Sequence, residues 1–358
     1  MAKRNPINLN TQIDILSTIK ELTPAYGLFS DSGLFKEVKL TSKTFAYDIE
    51  RAVGSKMTRL TSRTERDSVR TGKTDYKTVA LGTRSIKVDQ GVHIEDLEGR
   101  VTGGIDLENL SDTVLEELAK KVQIANDSLA QSFEYMLVTG SQGQVRDPKD
   151  GTVAIDMFAE TGTQRPTAVI DLTAGSTTVK SGLNALRNQV SLLNFGHGSV
   201  REIELWVAGD VFDALSTSVE LETFYLSALN GNVAALTNPI INGSVNKYVQ
   251  GKYGFYREFR WENFVFRTYP TVFHTMTGGT LNAVEDGKGW TVVRGTTDSY
   301  ELGLAPAPYL SQFGKQGQKI FAKFEDVNDV SIDFTLESHI APVLKRPELA
   351  VEVTFTLD

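Results

Sequence analysis

The stretch "IDLENLSDTVLEELAKKVQIANDSLAQSFEYMLV", residues 105–138, contains the strongest helical pattern in the chain. Its apolar side chains recur every three or four positions, which places them on one face of an α-helix. They are Leu107, Leu110, Val114, Leu118, Val122, Ala125, Leu129, Phe133 and Leu137. The opposite face carries charged and polar residues, and Gly140 follows where a left-handed cap is expected. The pattern predicts a long amphipathic helix with one buried face.

Upstream lies a basic stretch, "RAVGSKMTRLTSRTERDSVRTGKTDYKTVALGTRSIK", residues 51–87. It holds ten basic and three acidic residues, a net charge of +7, whereas the whole chain carries −8 and the remainder therefore −15. The middle of the stretch has few apolar residues and is flanked by segments that alternate apolar and polar positions. Two strand-like segments around a polar tip predict an extended hairpin that reaches away from its domain.

Downstream, the patterns alternate between strands and helices. "VRDPKDGTVAIDMFAE" predicts a hairpin with its turn at residues 147–151, and residues 178–193 have helical spacing. "REIELWVAGDVFDALSTS" predicts a buried strand that enters a helix near Gly209, and "YGFYREFRWENFVFRTY" predicts paired strands. "DVSIDFTLESHI" and "ELAVEVTFTL" predict two C-terminal strands. The sequence therefore predicts an α+β fold.

Composition narrows the possible functions. A chain of 358 residues exceeds the size of one typical hydrophobic core, so we expect two domains or one domain with large insertions. It has no cysteine, no secretory signal and no apolar run of membrane-spanning length. An acidic net charge argues against a dedicated duplex-DNA binder, which normally shows a basic domain.

No group of residues points to catalysis. The motif "TGKT" at residues 71–74 matches the end of a phosphate-binding loop, but Asp67 stands where that loop requires glycine. The four histidines are widely separated in sequence. Aromatic residues near Arg257, Arg260 and Arg267 fit paired core strands better than a base-stacking surface. We predict no catalytic residue, no metal site and no cofactor.

The C-terminal block, "GTTDSYELGLAPAPYLSQFGKQGQKIFAKFEDVNDVSIDFTLESHIAPVLKRPELAVEVTFTL", residues 295–357, carries the most specific resemblance to a known family. Asp329, Phe334, Ser338, Ala341 and Pro342 match the family's long strand, and "RPE" makes the turn into a final strand. "KYGFYREFRWENFVFRTY" and "ELWVAGDVFDALSTS" are similar to its strand pair and its strand-to-helix segment. The chain resembles the HK97-fold major capsid proteins of tailed bacteriophages, and more narrowly the lambda-type phage major capsid protein E family.

The resemblance implies an HK97-like capsid fold with four regions. An N-terminal arm would cover residues 1–47 and an extended E-loop hairpin residues 48–92. A peripheral domain would combine residues 93–165 with residues 320–358, and its long spine helix would span about residues 105–138. An α/β axial domain would cover residues 166–319.

The resemblance also implies a structural protein and not an enzyme. Such a protein assembles into hexamers and pentamers of the icosahedral shell that encloses the double-stranded DNA genome in a virion. It would be made and assembled in the cytoplasm of a bacterial host. Its partners would be copies of itself, scaffold, portal and decoration proteins, and packaged DNA contacted only non-specifically, with no membrane.

Within that interpretation, charge suggests where neighbouring copies meet. We expect E-loop contacts from Arg59, Arg63, Arg66, Arg70 and Lys73 to an acidic neighbour, for example to Glu116 and Glu117 on the spine helix. Two alternatives stay open: an encapsulin-like nanocompartment shell, and an enzyme without a readable motif.

Overall fold

The computed structural model describes residues 26–51, 75–93, 110–173, 178–194, 200–218, 220–221, 247–251, 254–269, 272–275, 278–296, 299–327 and 331–357. The helices in this part of the chain are α1 (Leu28–Asp31), α2 (Leu110–Ser141), α3 (Met157–Thr161), α4 (Val179–Leu193) and α5 (Gly209–Ser216). Two short 3₁₀ turns span Leu310–Gln312 and Pro347–Leu349.

The described strands form two larger sheets and three strand pairs. The first sheet contains β1 (Lys36–Lys39), β4 (Arg84–His93), β15 (Tyr300–Leu304), β16 (Phe321–Val327) and β17 (Ser331–Leu344). The second sheet contains β7 (Thr167–Asp171), β8 (Glu202–Val207), β9 (Lys247–Gly251), β10 (Gly254–Trp261), β11 (Phe264–Arg267), β14 (Lys288–Arg294) and β18 (Glu352–Thr356). The pairs are β2 (Thr44–Arg51) with β3 (Asp75–Gly82), β5 (Gln144–Arg146) with β6 (Val153–Asp156), and β12 (Phe273–His274) with β13 (Thr280–Leu281).

The first sheet is organised around β17, a strand of 14 residues. Residues 331–337 of β17 pair antiparallel with β16, and residues 331–340 pair antiparallel with β4. Since a strand has two edges, β4 and β16 must flank β17 on opposite sides. Residues 340–344 of β17 pair with β15, which brings in β1 as a parallel neighbour.

Helix α2 packs on this sheet with the face that its sequence pattern predicts. Leu118, Val122, Leu129, Phe133 and Leu137 are all buried in one cluster with residues of β4 and β17. Full burial of each such side chain stabilises the fold by about 2 kcal/mol relative to exposure. The prediction of a long amphipathic helix is confirmed over the described residues, which begin at Leu110.

The end of α2 differs from the prediction. The helix runs through Gly140 to Ser141, and the left-handed conformation falls at Gly143, which has a φ of 83°. Gly140 has a packing role instead, because a Cβ at this position would lie 2.9 Å from Cβ of Pro342 on β17. Glycine at this position lets the helix approach the strand more closely than any side chain would allow.

The strands of the second sheet follow the order β7-β18-β14-β8-β11-β10-β9. A second hydrophobic cluster contains buried residues of this sheet. The predicted helix at residues 178–193 is confirmed as α4, whose buried face contributes Leu183, Leu186 and Val190. The predicted step from a buried strand into a helix near Gly209 is confirmed as β8 and α5. The predicted strand pair over residues 253–269 is confirmed as β10 and β11.

The two larger sheets combine strands from different predicted regions. β4 and β15 lie in the first sheet, although the predictions assign them to the E-loop and the axial domain. β18 joins the second sheet between β7 and β14, although it follows β17 by only a short turn. The turn at Pro347–Leu349 buries Leu349 in the second cluster, and this redirects the chain.

The contact at Gly140 provides a test of this packing. We expect Gly140→Val to lower the free energy of unfolding by about 2 kcal/mol, because the new side chain overpacks the contact with Pro342. Urea denaturation of the folded chain measures this loss. Gly82→Val on β3 is the matched control, since no atom lies within 4 Å of the added Cβ there. An equal loss in both variants would contradict the packing argument.

Candidate functional site

Strands β2 and β3 form a two-stranded limb, and some of their apolar side chains belong to the first hydrophobic cluster. The strands pair in register from Thr44↔Gly82 to Arg51↔Asp75, as the predicted hairpin requires. Within the described residues, β2 and β3 pair only with each other. The apolar side of the limb's base is buried through the cross-strand pairs Phe45↔Leu81 and Tyr47↔Val79. The tip, residues 52–74, lies outside the described residues.

Two basic side chains attach the limb and the start of β4 to their own subunit. The Lys77 ammonium donates to the backbone carbonyl of Glu160 on α3 at 2.8 Å. The Arg84 guanidinium donates to the carbonyl of Ala154 on β6 at 2.6 Å. Charged donors make stronger hydrogen bonds than neutral ones, so these contacts fix the direction in which the limb leaves the body.

The residues predicted to make E-loop contacts, Arg59, Arg63, Arg66, Arg70 and Lys73, lie in the limb's tip, outside the described residues. Glu116 lies on α2, and its side chain is also outside the description.

Glu117, the other residue predicted as an acidic contact on the spine helix, is only 8% exposed within its own subunit, and its carboxylate lies 4.0 Å from Lys120 Nζ. Glu117 and Lys121 stand one helical turn apart, at i and i+4, and Lys121 reaches β4. Lys121 Nζ donates to the carbonyl of Gly91 on that strand at 2.7 Å.

A buried carboxylate joins the N-terminal segment to both sheets. Glu134 on α2 is 0% exposed and accepts hydrogen bonds from the backbone N–H groups of Phe29 and Ser30 on α1. It also accepts a bond from the Tyr269 hydroxyl at 3.1 Å. The Phe29 ring packs 4.8 Å, between centroids, from Trp206 on β8 of the second sheet.

Glu134 was not singled out from the sequence. The signal that could have identified it is a carboxylate inside the apolar run "FEYMLV". Burial raises its pKa to about 7, although the N–H groups of Phe29 and Ser30, the Tyr269 hydroxyl and the nearby Lys319 each act to lower it. A pKa near 7 means that Glu134 changes between its protonated and ionised forms near neutral pH.

A second buried carboxylate, Glu337 on β17, has the opposite shift. Its Oε1 lies 2.8 Å from Lys87 Nζ on β4 and accepts from the Tyr309 hydroxyl. Its Oε2 lies 3.0 Å from Nε2 of the buried His339. Burial acts to raise the pKa of Glu337, but the bonds from Lys87, Tyr309 and His339 outweigh it and hold the pKa below its usual value. Glu337 thus stays ionised and anchors the residues around it.

The strands rich in aromatic and arginine residues are core, as predicted. Phe259, Trp261, Phe264 and Phe266 are buried in the second cluster. The arginines on these strands pair with carboxylates of the same chain: Arg257 with Asp213, Arg260 with Glu202 and Glu258, and Arg267 with Glu204 and Glu258. They form no open surface for stacking bases.

The described residues also bear on metal binding and on membrane insertion. No group of three or more histidine or acidic side chains in them is placed to hold a metal ion. None of the described helices is long and apolar enough to cross a membrane.

Comparison with known proteins assigns the chain to a family. The model of the family "Phage major capsid protein E" matches residues 11–355. This chain belongs to the phage major capsid protein E family. The capsid protein is 20% identical to the major capsid protein of Salmonella phage Felix O1 (isolate Felix O1-VT1), over 95% of both chains.

Solved structures confirm the fold of the capsid protein. It is similar to the putative capsid protein of a prophage of E. coli CFT073, with a TM-score of 0.54, 12% identity and coverage of 96% and 98% of the two chains. A structure from Gordonia phage Cozz matches with a TM-score of 0.50, 12% identity and coverage of 94% and 89%. The predicted HK97-like α+β fold is therefore confirmed, and family membership identifies the function as forming a capsid shell.

The pKa of Glu134 leads to a prediction about pH. A folded-state pKa near 7, against 4.5 for the free side chain, means that the folded capsid protein binds the extra proton between these values. This group's contribution to the free energy of unfolding should therefore fall by about 3 kcal/mol as pH rises from 4.5 to 7 and stay level above that. Urea denaturation across this pH range measures the fall.

Glu134→Gln removes the titrating group and should flatten that part of the pH profile, whatever its effect at a single pH. Glu37→Gln, on an exposed position of β1, is the control and should keep the wild-type profile. A Glu134→Gln variant with the wild-type slope would show that Glu134 does not titrate in this range.

Proposed function

We propose that this chain assembles into hexameric and pentameric capsomers, which form the icosahedral shell around the double-stranded DNA genome of a tailed bacteriophage. The observation that carries the proposal is the family match over residues 11–355. It favours a phage shell over an encapsulin-like nanocompartment. The role is structural and not catalytic, which is consistent with the absence of a readable catalytic motif in the sequence.

We assign four regions to the assembled subunit. The N-terminal arm covers residues 1–47, the E-loop residues 48–92, the axial domain residues 166–319, and the peripheral domain residues 93–165 with 320–358. Support for a separate E-loop comes from β2 and β3, which in the described part of the chain pair only with each other. Two hydrophobic clusters support two bodies, although the clusters cross these bounds: Tyr300 and Leu302 lie in the first cluster, and Val353 and Phe355 lie in the second.

The E-loop tip carries the contact between neighbouring subunits in this proposal. Residues 51–87 hold a charge of +7 in a chain whose remaining residues carry −15, so each basic tip finds an acidic surface on an identical neighbour. Contacts of this kind set register and speed encounter more than they add affinity. On α2 we propose Glu116 as an acceptor, since Glu117 is largely covered within its own subunit.

Other partners follow from a role in the virion. Scaffold, portal and decoration proteins would meet the shell at its surfaces, and assembly would take place in the host cytoplasm. Packaged DNA would be contacted only non-specifically, because an acidic wall releases few counterions from the duplex and does not hold it tightly.

Sedimentation of the purified chain, with electron microscopy of the same sample, tests the proposal. We expect megadalton particles or ring-shaped capsomers with six and five copies. A small closed oligomer, such as a dimer or tetramer, under all assembly conditions would overturn the proposal and favour an enzyme or another soluble protein.

Charge reversal tests the E-loop contact separately. We expect the variant with Arg59, Arg63, Arg66 and Arg70 all changed to Glu to fold but to form no particles, because its tip repels the acidic neighbour. The matched control changes the same four residues to Lys, which keeps the charge, and should assemble. Circular dichroism checks folding and sedimentation measures assembly. Normal particles from the Glu variant would refute the proposed contact.

A further inference from the structure

The loop between β15 and β16 holds two large apolar side chains in water. Leu310 is 98% exposed and Phe313 is 91% exposed, more than any other large apolar residue in the described part of the chain. They lie at the two ends of one 3₁₀ turn, so they project from the same short segment. Exposed apolar side chains that lie together mark a surface that another molecule covers.

This loop is held in place by its own subunit. The Tyr309 hydroxyl, next to Leu310, donates to the buried carboxylate of Glu337. The Gly317 N–H donates to the Leu40 carbonyl at 2.8 Å, and a Cβ on Gly317 would lie 2.0 Å from the Leu304 carbonyl oxygen. The loop is therefore tied to the first sheet on both sides of the exposed pair, by the Tyr309 side chain before it and by the backbone at Gly317 after it. A segment braced in this way keeps Leu310 and Phe313 in water although burying them would be favourable.

The charged residues of the loop that carries the exposed pair are all basic. Residues 305–323 contain Lys315, Lys319 and Lys323 and no acidic residue, in a chain with a net charge of −8. Lys319 donates to Ser30 at 2.6 Å, and Lys315 is exposed. Two such loops facing each other across a two-fold axis would bring like charges together, which disfavours a self-complementary contact.

We propose that the loop at residues 305–320 docks with Leu310 and Phe313 onto a different, acidic surface of a second copy of this chain. The contact is heterologous, and a heterologous contact forms a ring when the rotation between neighbouring copies closes. The occupant is a second copy because the basic rim suits this acidic chain, and because a shell protein has its own copies as neighbours. The inference rests on the proposed function and adds a specific contact to it.

The first test removes the apolar side chains. We expect Leu310→Ser with Phe313→Ser to raise the subunit concentration needed for assembly by about tenfold or more, since two buried side chains are lost from each contact. Both positions are exposed in the subunit, so circular dichroism and urea denaturation should match wild type. Leu310→Met with Phe313→Leu is the matched control, which stays apolar and should assemble at the wild-type concentration. Equal assembly of the Ser and wild-type chains would overturn the inference.

A second test uses the absence of cysteine from the chain. Phe313→Cys introduces a single thiol, whose reaction with a small maleimide reports exposure. We expect fast reaction in free subunits and at least about tenfold slower reaction in particles of the purified chain, with full reactivity restored in urea.

The outcomes separate this inference from the proposed function. If the wild-type chain forms neither particles nor ring-shaped capsomers, the proposed function fails. If particles form and the thiol stays reactive in them, the docking inference fails and the proposed function stands. Protection that appears only after a second viral protein is added would also overturn docking onto a second copy.

Discussion

The close packing of α2 against β17 is the constraint on which the rest of the structure depends. Gly140 has no side chain, so the helix approaches Pro342 to a distance that a Cβ would prevent. β17 pairs with β4, β15 and β16, so the position of the helix fixes the frame from which the limb, the N-terminal segment and the second sheet extend. A chain with long extensions needs such a frame, because segments with few apolar residues cannot fold by themselves.

Two buried glutamates attach peripheral segments to this frame by opposite electrostatic means. Glu337 meets Lys87, Tyr309 and His339, which keep it ionised and hold the β15–β16 loop against β17. Glu134 accepts hydrogen bonds from two backbone N–H groups and Tyr269, with Lys319 farther away. Burial outweighs these contacts and raises its pKa. Glu337 therefore stays ionised where it holds the β15–β16 loop, whereas Glu134 changes its protonation state near neutral pH where it holds the N-terminal segment. The two differ because only Glu337 has a cation in direct contact.

Local periodicity was a reliable guide wherever one face of an element meets one core. The buried stripe of α2, the helix at Val179–Leu193 and the strand pair of β10 and β11 were all predictable, since side-chain spacing decides which face is apolar. The end of α2 was not, because Gly140 serves a contact with Pro342 that is 202 positions away in sequence. A local capping rule has no access to a contact over that separation.

The sequence by itself determined the α+β class, the family and a basic stretch, residues 51–87, with a charge of +7 and a middle part that has too few apolar residues to bury itself. Only the tertiary structure decided that β4 and β15 join β17, that β18 crosses to the second sheet, and that Glu117 and Glu134 are buried. The physical reason is that charge and periodicity are local properties of the chain. Strand partners and the burial of a carboxylate depend on which distant segments pack against it.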